Sequence, residues 1–334
     1  MSLAVQLPDA PLPWHAAAMQ RLSSAWRQQR WPHALLIYGA DGLGKRLLAE
    51  AVAQSVLCDK TRDELIACGN CASCKLLAAR THPDLMFISP LEDKQQIAID
   101  QIREACASLA LTSYRDGYKV VIVEPAHQMT IGAANSLLKT LEEPSSRTML
   151  ILLTSRPSGL PATIRSRCQQ LAIRAPAERD GLAWLASAAD TPVAPEVLRF
   201  AHGAPLRALA LARGRYVTLW GEVNTALEAL FAGRADVTQI AKQWTDDDLI
   251  DRLLCVDHWL EQQIRRVVGQ TDDLVTSMVL PSEPSALNIS RMFVCLDRVR
   301  ELRIVLARTA LQRELAVEAL LLALIDTFTT RRQQ

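Results

Sequence analysis

The chain has 334 residues, 49% of them hydrophobic, which is enough apolar material for two or three packed domains and excludes a disordered polyelectrolyte. Lys and Arg number 37 against 36 Asp and Glu, a formal net charge of +1, so no global field directs it to nucleic acid or a membrane and any polyanion contact has to be local. Residues 1–10 lack a basic stretch followed by an apolar core, no apolar run approaches the roughly 18 residues of a membrane span, and eight cysteines in a chain of this size point away from a disulfide framework, so a cytoplasmic protein is expected.

Strand-like apolar runs recur at 35–38, 85–89, 120–123, 150–153 and 170–173, separated by helical patterns. That alternation predicts a parallel, doubly wound α/β sheet. The string RAPAE at 174–178 breaks it, and beyond this point the strand signal vanishes. Helical segments follow to about residue 212 and again from about 216, and over 289–330 Val299, Leu302, Leu306, Leu311, Leu315, Leu320, Leu321 and Leu324 fall at helical intervals. The expected division is 1–176, 177–212 and 213–334, the last part all-α.

Between the first run and the helical pattern of Leu47, Leu48, Ala51, Val52 and Val56 lies GADGLGKR, residues 39–46. Strand, glycine-rich turn and helix start form the context in which GxxxxGK turns backbone N–H groups onto phosphate. Gly39, Gly42 and Gly44 supply the turn, and Lys45 would reach the β and γ phosphates of ATP or ADP. The next position should give Mg²⁺ a hydroxyl, but Arg46 is a fixed cation with no acceptor. Nucleotide binding is left open, and a ligand-free tight turn is the other reading.

Cys58, Cys68, Cys71 and Cys74 follow with the spacing C-x9-C-x2-C-x2-C. Four thiolates complete a tetrahedron around zinc and leave no position for water, which predicts a structural site; chance clustering and a redox pair are the alternatives. Further on, KVVIVE at 119–124 is an apolar strand ending in Glu124, a Walker B pattern whose acid could contact the nucleotide's metal. Where a catalytic glutamate would orient water stands Pro125, which offers neither acid nor base. A buried strand with an incidental Glu reads equally simply.

VVIVEPAHQMT (120–130), AANSLLKTLEEPSS (133–146) and LLTSRPSGLPATIRSRC (152–168), with the thiol spacing before them, resemble the AAA+ subunits of bacterial clamp loaders. QRELAVEALLLAL (312–324) resembles the end of the family's stator-like subunit. The resemblance implies an α/β AAA+ domain with a RecA-like parallel sheet and an inserted zinc module at 58–74, a small helical lid at 177–212 and a helical collar at 213–334. It also implies a role in loading the sliding clamp onto primed DNA, within the DNA polymerase (nucleotidyltransferase) holoenzyme.

The departures from the ATP-hydrolysing gamma and tau members, Arg46, Pro125 and Leu206 in place of the sensor arginine, imply the member that does not turn over ATP itself. Arg207 comes one residue late, about 100° around the helix. Ser166-Arg167-Cys168 matches the family's SRC motif, so Arg167 is expected to serve as an arginine finger in a neighbour's site, with Arg165 close enough to confuse the assignment and pairing with a surface carboxylate as the simpler reading. The partners implied are the delta and gamma or tau subunits in a hetero-pentamer, with clamp and primer-template DNA reached through the complex. Lys139 resembles a residue facing that DNA, but one residue does not make a basic cluster and a solvated lysine is the preferred reading. An active gamma- or tau-like ATPase and a zinc-dependent nucleic-acid-binding module are the rival readings.

Overall fold

The computed structural model describes residues 11–60, 65–91, 94–189, 191–245, 248–268, 289–306 and 312–328, which fall into two compact units, 1–210 and 211–334. The first unit is built on five parallel strands, β1 (Ala34–Tyr38), β2 (Leu85–Ile88), β3 (Lys119–Val123), β4 (Thr148–Thr154) and β5 (Gln169–Ala172). They lie in the order β2-β3-β4-β1-β5, with Leu36 beside Leu152 and Val121 beside Leu150. Each strand matches one of the five apolar runs to within two residues at either end.

The period of two sorts the strand residues onto two buried faces. Leu35, Ile37, Val120, Ile122, Ile151 and Leu153 share one core with α1 (Ala16–Arg27) and α2 (Lys45–Leu57). Leu36, Val121, Val123, Leu150 and Leu152 share the other with α4 (Ile99–Ala110), α5 (Ile131–Glu142) and α6 (Ala162–Arg165). A short α3 (Ala72–Ala78) carries Cys74, the last of the four clustered cysteines. Helices on both faces of a parallel sheet are the doubly wound α/β architecture that the sequence predicts, because both faces of such strands have to be covered.

Local chemistry sets the helix starts. Thr130 caps α5 by accepting the Ala133 N–H at 3.2 Å, and the Gln101 side chain reaches back to the Ala98 N–H at 3.0 Å at the start of α4. After the sheet come α7 (Glu178–Ala188), α8 (Pro195–Phe200) and α9 (Pro205–Arg213).

The second unit holds α10 (Tyr216–Phe231), α11 (Val237–Trp244), α12 (Leu249–Val267), α13 (Ile289–Leu306) and α14 (Arg313–Phe328), with no strand among its described residues. Asp236 caps α11 through the Thr238 N–H at 2.7 Å. Phe231, Trp259 and Phe328 cluster with centroids 4.7 to 5.7 Å apart. The buried Asp257 on α12 holds Arg300 and Arg303 of α13 at 3.0 and 3.2 Å, so a carboxylate that would be costly alone is doubly paired. Within 289–330 the described residues form two helices, α13 and α14; Leu311 and Thr330 lie outside the described residues. Among the described residues no helix is long and apolar enough to cross a membrane.

Candidate functional site

The glycine-rich loop leaves the carboxyl end of β1 and enters α2 at Lys45, with Gly42 at φ +82° and Gly44 at φ +75°, a left-handed backbone that favours glycine. The loop is tightly embraced. A Cβ on Gly42 would stand 2.4 Å from Arg207 Cβ, and one on Gly44 would stand 2.5 Å from Leu12 and 3.3 Å from Leu206. Leu206 N–H also donates to Gly42 O at 3.1 Å, so the residue in place of the sensor arginine is bonded to the loop.

Residues just before α1 brace the loop from another side, a feature no motif signals in the sequence. Trp14 Nε1–H donates to Leu43 O at 2.9 Å. The fully buried His15 places Nε2 at 2.8 Å from the same carbonyl, while its Nδ1 accepts the Leu12 N–H at 3.3 Å. An imidazole that donates with one nitrogen and accepts with the other is neutral, and burial lowers its pKa accordingly.

Lys45 is 7% exposed and turned into the loop, donating to Gly39 O and Ala40 O at 2.9 Å each and to Asp41 Oδ1 at 3.2 Å. Its three N–H donors are all used. Beside it, Arg46 Nε donates to Glu50 Oε1 at 2.9 Å, its Nη1 lies 3.6 Å from Glu124 Oε2, and the guanidinium sits 5.3 Å from the centre of the Phe87 ring. Burial raises the pKa of Glu124, against the pull of Arg46 and Lys45. The carboxylate expected to meet a metal thus faces an arginine. Pro125 follows it directly and opens a short turn at 126–128.

The four cysteines converge. Cys58 and Cys71 sulfurs are 3.9 Å apart, Cys68 and Cys74 sulfurs 4.0 Å, and all four lie within 4.8 Å of one another. A tetrahedral Zn²⁺ with bonds near 2.3 Å requires S···S edges of about 3.8 Å, so the cage has the size of a metal site. Backbone N–H groups of Lys60, Cys68 and Cys74 point at Cys58 or Cys71 sulfur at 3.3 to 3.4 Å, and Cys71 doubles as the cap of α3. Ser73 Oγ–H donates to Asp59 Oδ1 at 2.6 Å, and Arg115 reaches both residues, a bracket under the knuckle that sequence spacing did not reveal. Cys168, Cys255 and Cys295 lie buried and apart.

Arg167 follows α6 with Nη1–H on Thr163 O at 3.0 Å and Nη2 at 2.6 Å from Glu142 Oε1. It is about one-third exposed, so the guanidinium lies at the surface and pairs within its own chain. Arg165 is half-buried with its Nε enclosed, and Lys139 is exposed in the last turn of α5.

Comparison with known proteins shows the family of the chain. The profile of the family described as "DNA polymerase III, delta subunit" matches residues 14–177, which spans the sheet, the phosphate-type loop, the thiols and Arg167. The DNA polymerase III subunit delta' of Pseudomonas aeruginosa is 38% identical over 235 residues, 70% of each chain. The Escherichia coli protein of that name is 36% identical over 222 residues, 65% of each chain, and that of Yersinia pestis is 30% identical over 298 residues, 87% of each. A solved gamma subunit-related protein from Thermotoga maritima superposes with a TM-score of 0.47 at 18% identity, over 92% of this chain and 99% of that one. The chain belongs to the delta-prime family of DNA polymerase III clamp-loader subunits.

Proposed function

We propose that the chain completes a hetero-pentameric clamp loader with delta and gamma or tau subunits, without turning over ATP itself, and lends Arg167 to an ATPase site on its neighbour. The observation that carries this is the filled-in phosphate loop: Lys45 spends its donors on Gly39, Ala40 and Asp41, and Arg46 faces Glu124. Pro125 removes the general base as well, and Leu206 is packed on the loop. An active gamma- or tau-like ATPase is disfavoured by the same contacts. In this reading residues 177–212 act as a lid, 213–334 as the collar for assembly, and the four thiolates hold structural zinc. The complex, working in the bacterial cytoplasm, then engages the sliding clamp and primer-template DNA.

Arg167 supports the finger role by its place at the surface, held by one carboxylate and one carbonyl that it can leave. A guanidinium offers two parallel N–H donors to a transferring phosphoryl group, worth on the order of 10³ to 10⁵ in rate at the site served. The test is Arg167→Ala in a loader reconstituted from purified subunits. DNA-stimulated ATPase is expected to fall while native mass spectrometry still shows the assembled complex. Unchanged ATPase would refute the finger, and turnover of about 1 s⁻¹ by the lone chain would refute the non-hydrolysing reading.

A further inference from the structure

We infer that the Arg46 guanidinium stands in for the divalent cation of the cleft and keeps magnesium out of it. The inference rests on reading the cleft as a nucleotide-type site that does not hydrolyse, and it assigns the exclusion of metal to one side chain. Arg46 lies between two carboxylates, with Nε 2.9 Å from Glu50 Oε1 and Nη1 3.6 Å from Glu124 Oε2. Hard oxygen ligands of this kind hold Mg²⁺ and Mn²⁺ elsewhere. Here one planar cation serves both, and the Phe87 ring 5.3 Å from the guanidinium carbon backs it from a third direction.

One hydrogen bond, one ion pair and one ring contact hold the half-exposed guanidinium beside Glu124. A divalent ion approaching Glu124 would meet a positive group at close range, and it would lack the hydroxyl that a Ser or Thr after Lys45 provides. The Mg²⁺-nucleotide chemistry of the ATP-hydrolysing gamma and tau members therefore does not fit the residues present. Lys45 spends its donors on the loop itself. Arg46 is the cation paired with Glu124.

The experiment uses the full chain, purified with its metal site loaded, and Mn²⁺ with ADP as probe. Water-proton relaxation reports Mn²⁺-ADP held by a large molecule. The native chain is expected to give the relaxation of free Mn²⁺-ADP. Arg46→Thr is expected to bind it about thirtyfold more tightly, the change that even a water-like dielectric gives for a divalent ion about 4 Å from a single charge. Arg46→Lys keeps the charge and is expected to behave as the native chain, and Glu124→Gln added to Arg46→Thr is expected to cancel the gain.

Arg46→Ser replaces the threonine variant if that one fails to show a native unfolding transition. Mn²⁺-ADP binding by the native chain, or none by a folded Arg46→Thr or Arg46→Ser, overturns the inference. So does tight binding by Arg46→Lys. Arg167→Ala leaves this measurement unchanged, so a failed finger and a failed metal exclusion are told apart.

Discussion

Arg167 Nη2 lies 2.6 Å from Glu142 Oε1, joining the last residue of α5 to the segment that follows α6. Both residues belong to strings on which the resemblance to the clamp-loader family rests, NSLLKTLEEP and SRC, which lie more than twenty positions apart. The fold brings them together at the surface. Half of Glu142 is exposed, so the pair is well screened and contributes little to stability. Glu142→Gln is expected to cost less than about 1 kcal/mol in urea unfolding and to leave loader ATPase at or above its native level. A fall in ATPase as deep as that of Arg167→Ala would mean the carboxylate positions the arginine instead of merely parking it.

The thiol cage predicts a metal-dependent fold. Cys68→Ser leaves three soft ligands, and either that substitution or a strong chelator is expected to remove about one zinc per chain. The accompanying loss of stability is several kcal/mol, a fraction of the roughly 10–16 kcal/mol that structural zinc contributes in small zinc-finger peptides. Metal analysis and thermal unfolding check both halves. A chain that unfolds at the same temperature with and without chelator would show that the cage is not structural.

Burial lowers the pKa of His15, His82 and His127 from the ordinary value of 6.5. The unfolded chain takes up protons that the folded one refuses, so stability is whole above about pH 7 and falls as the pH drops through about 6.5. Each histidine contributes a slope of up to about 1.4 kcal/mol per pH unit until its own folded pKa is passed. His15→Gln is expected to flatten the slope by one histidine's share, whatever it does to absolute stability. Urea midpoints from pH 7.5 to about 5 measure it, and a variant as pH-dependent as the native chain would contradict the neutral state assigned to His15.

Gly42→Ala tests the clasp between loop and α9. The new methyl would meet Arg207 Cβ at 2.4 Å and its backbone N at 2.7 Å, at a φ of +82°. Left-handed strain alone costs roughly 1–2 kcal/mol, and pushing Arg207 away also stretches the Leu206 to Gly42 hydrogen bond. A total of at least about 2 kcal/mol is expected in urea unfolding. Gly69→Ala, at φ +72° with nothing within 4 Å, is expected to cost the strain alone. Equal costs at the two sites would mean that the clasp yields freely.

Periodicity made the five strands legible, because residues such as Leu36 and Ile151 are buried whichever way the sheet is ordered. Spacing made the thiol cage legible for a related reason: four ligands within seventeen residues can reach one point without help from distant chain. The loop 39–46 was legible as a phosphate-type turn, but where Lys45 points was not. Its choice between an anion and the carbonyls of Gly39 and Ala40 depends on what else crowds the loop.

By itself, then, the sequence determined the parallel sheet, the helical second part, the cluster of four thiols, and Arg46, Leu206 and Pro125 where the family resemblance calls for a hydroxyl, a sensor arginine and a catalytic acid, since each is a matter of residue type at short spacing. The tertiary structure decided what stands where those groups would have been. Leu12, His15 and Leu206 come to the loop from opposite ends of the first unit, Glu50 and Glu124 close on Arg46, and Glu142 meets Arg167. Such pairings between distant segments are set by how the helices pack on the sheet, and no local pattern encodes them.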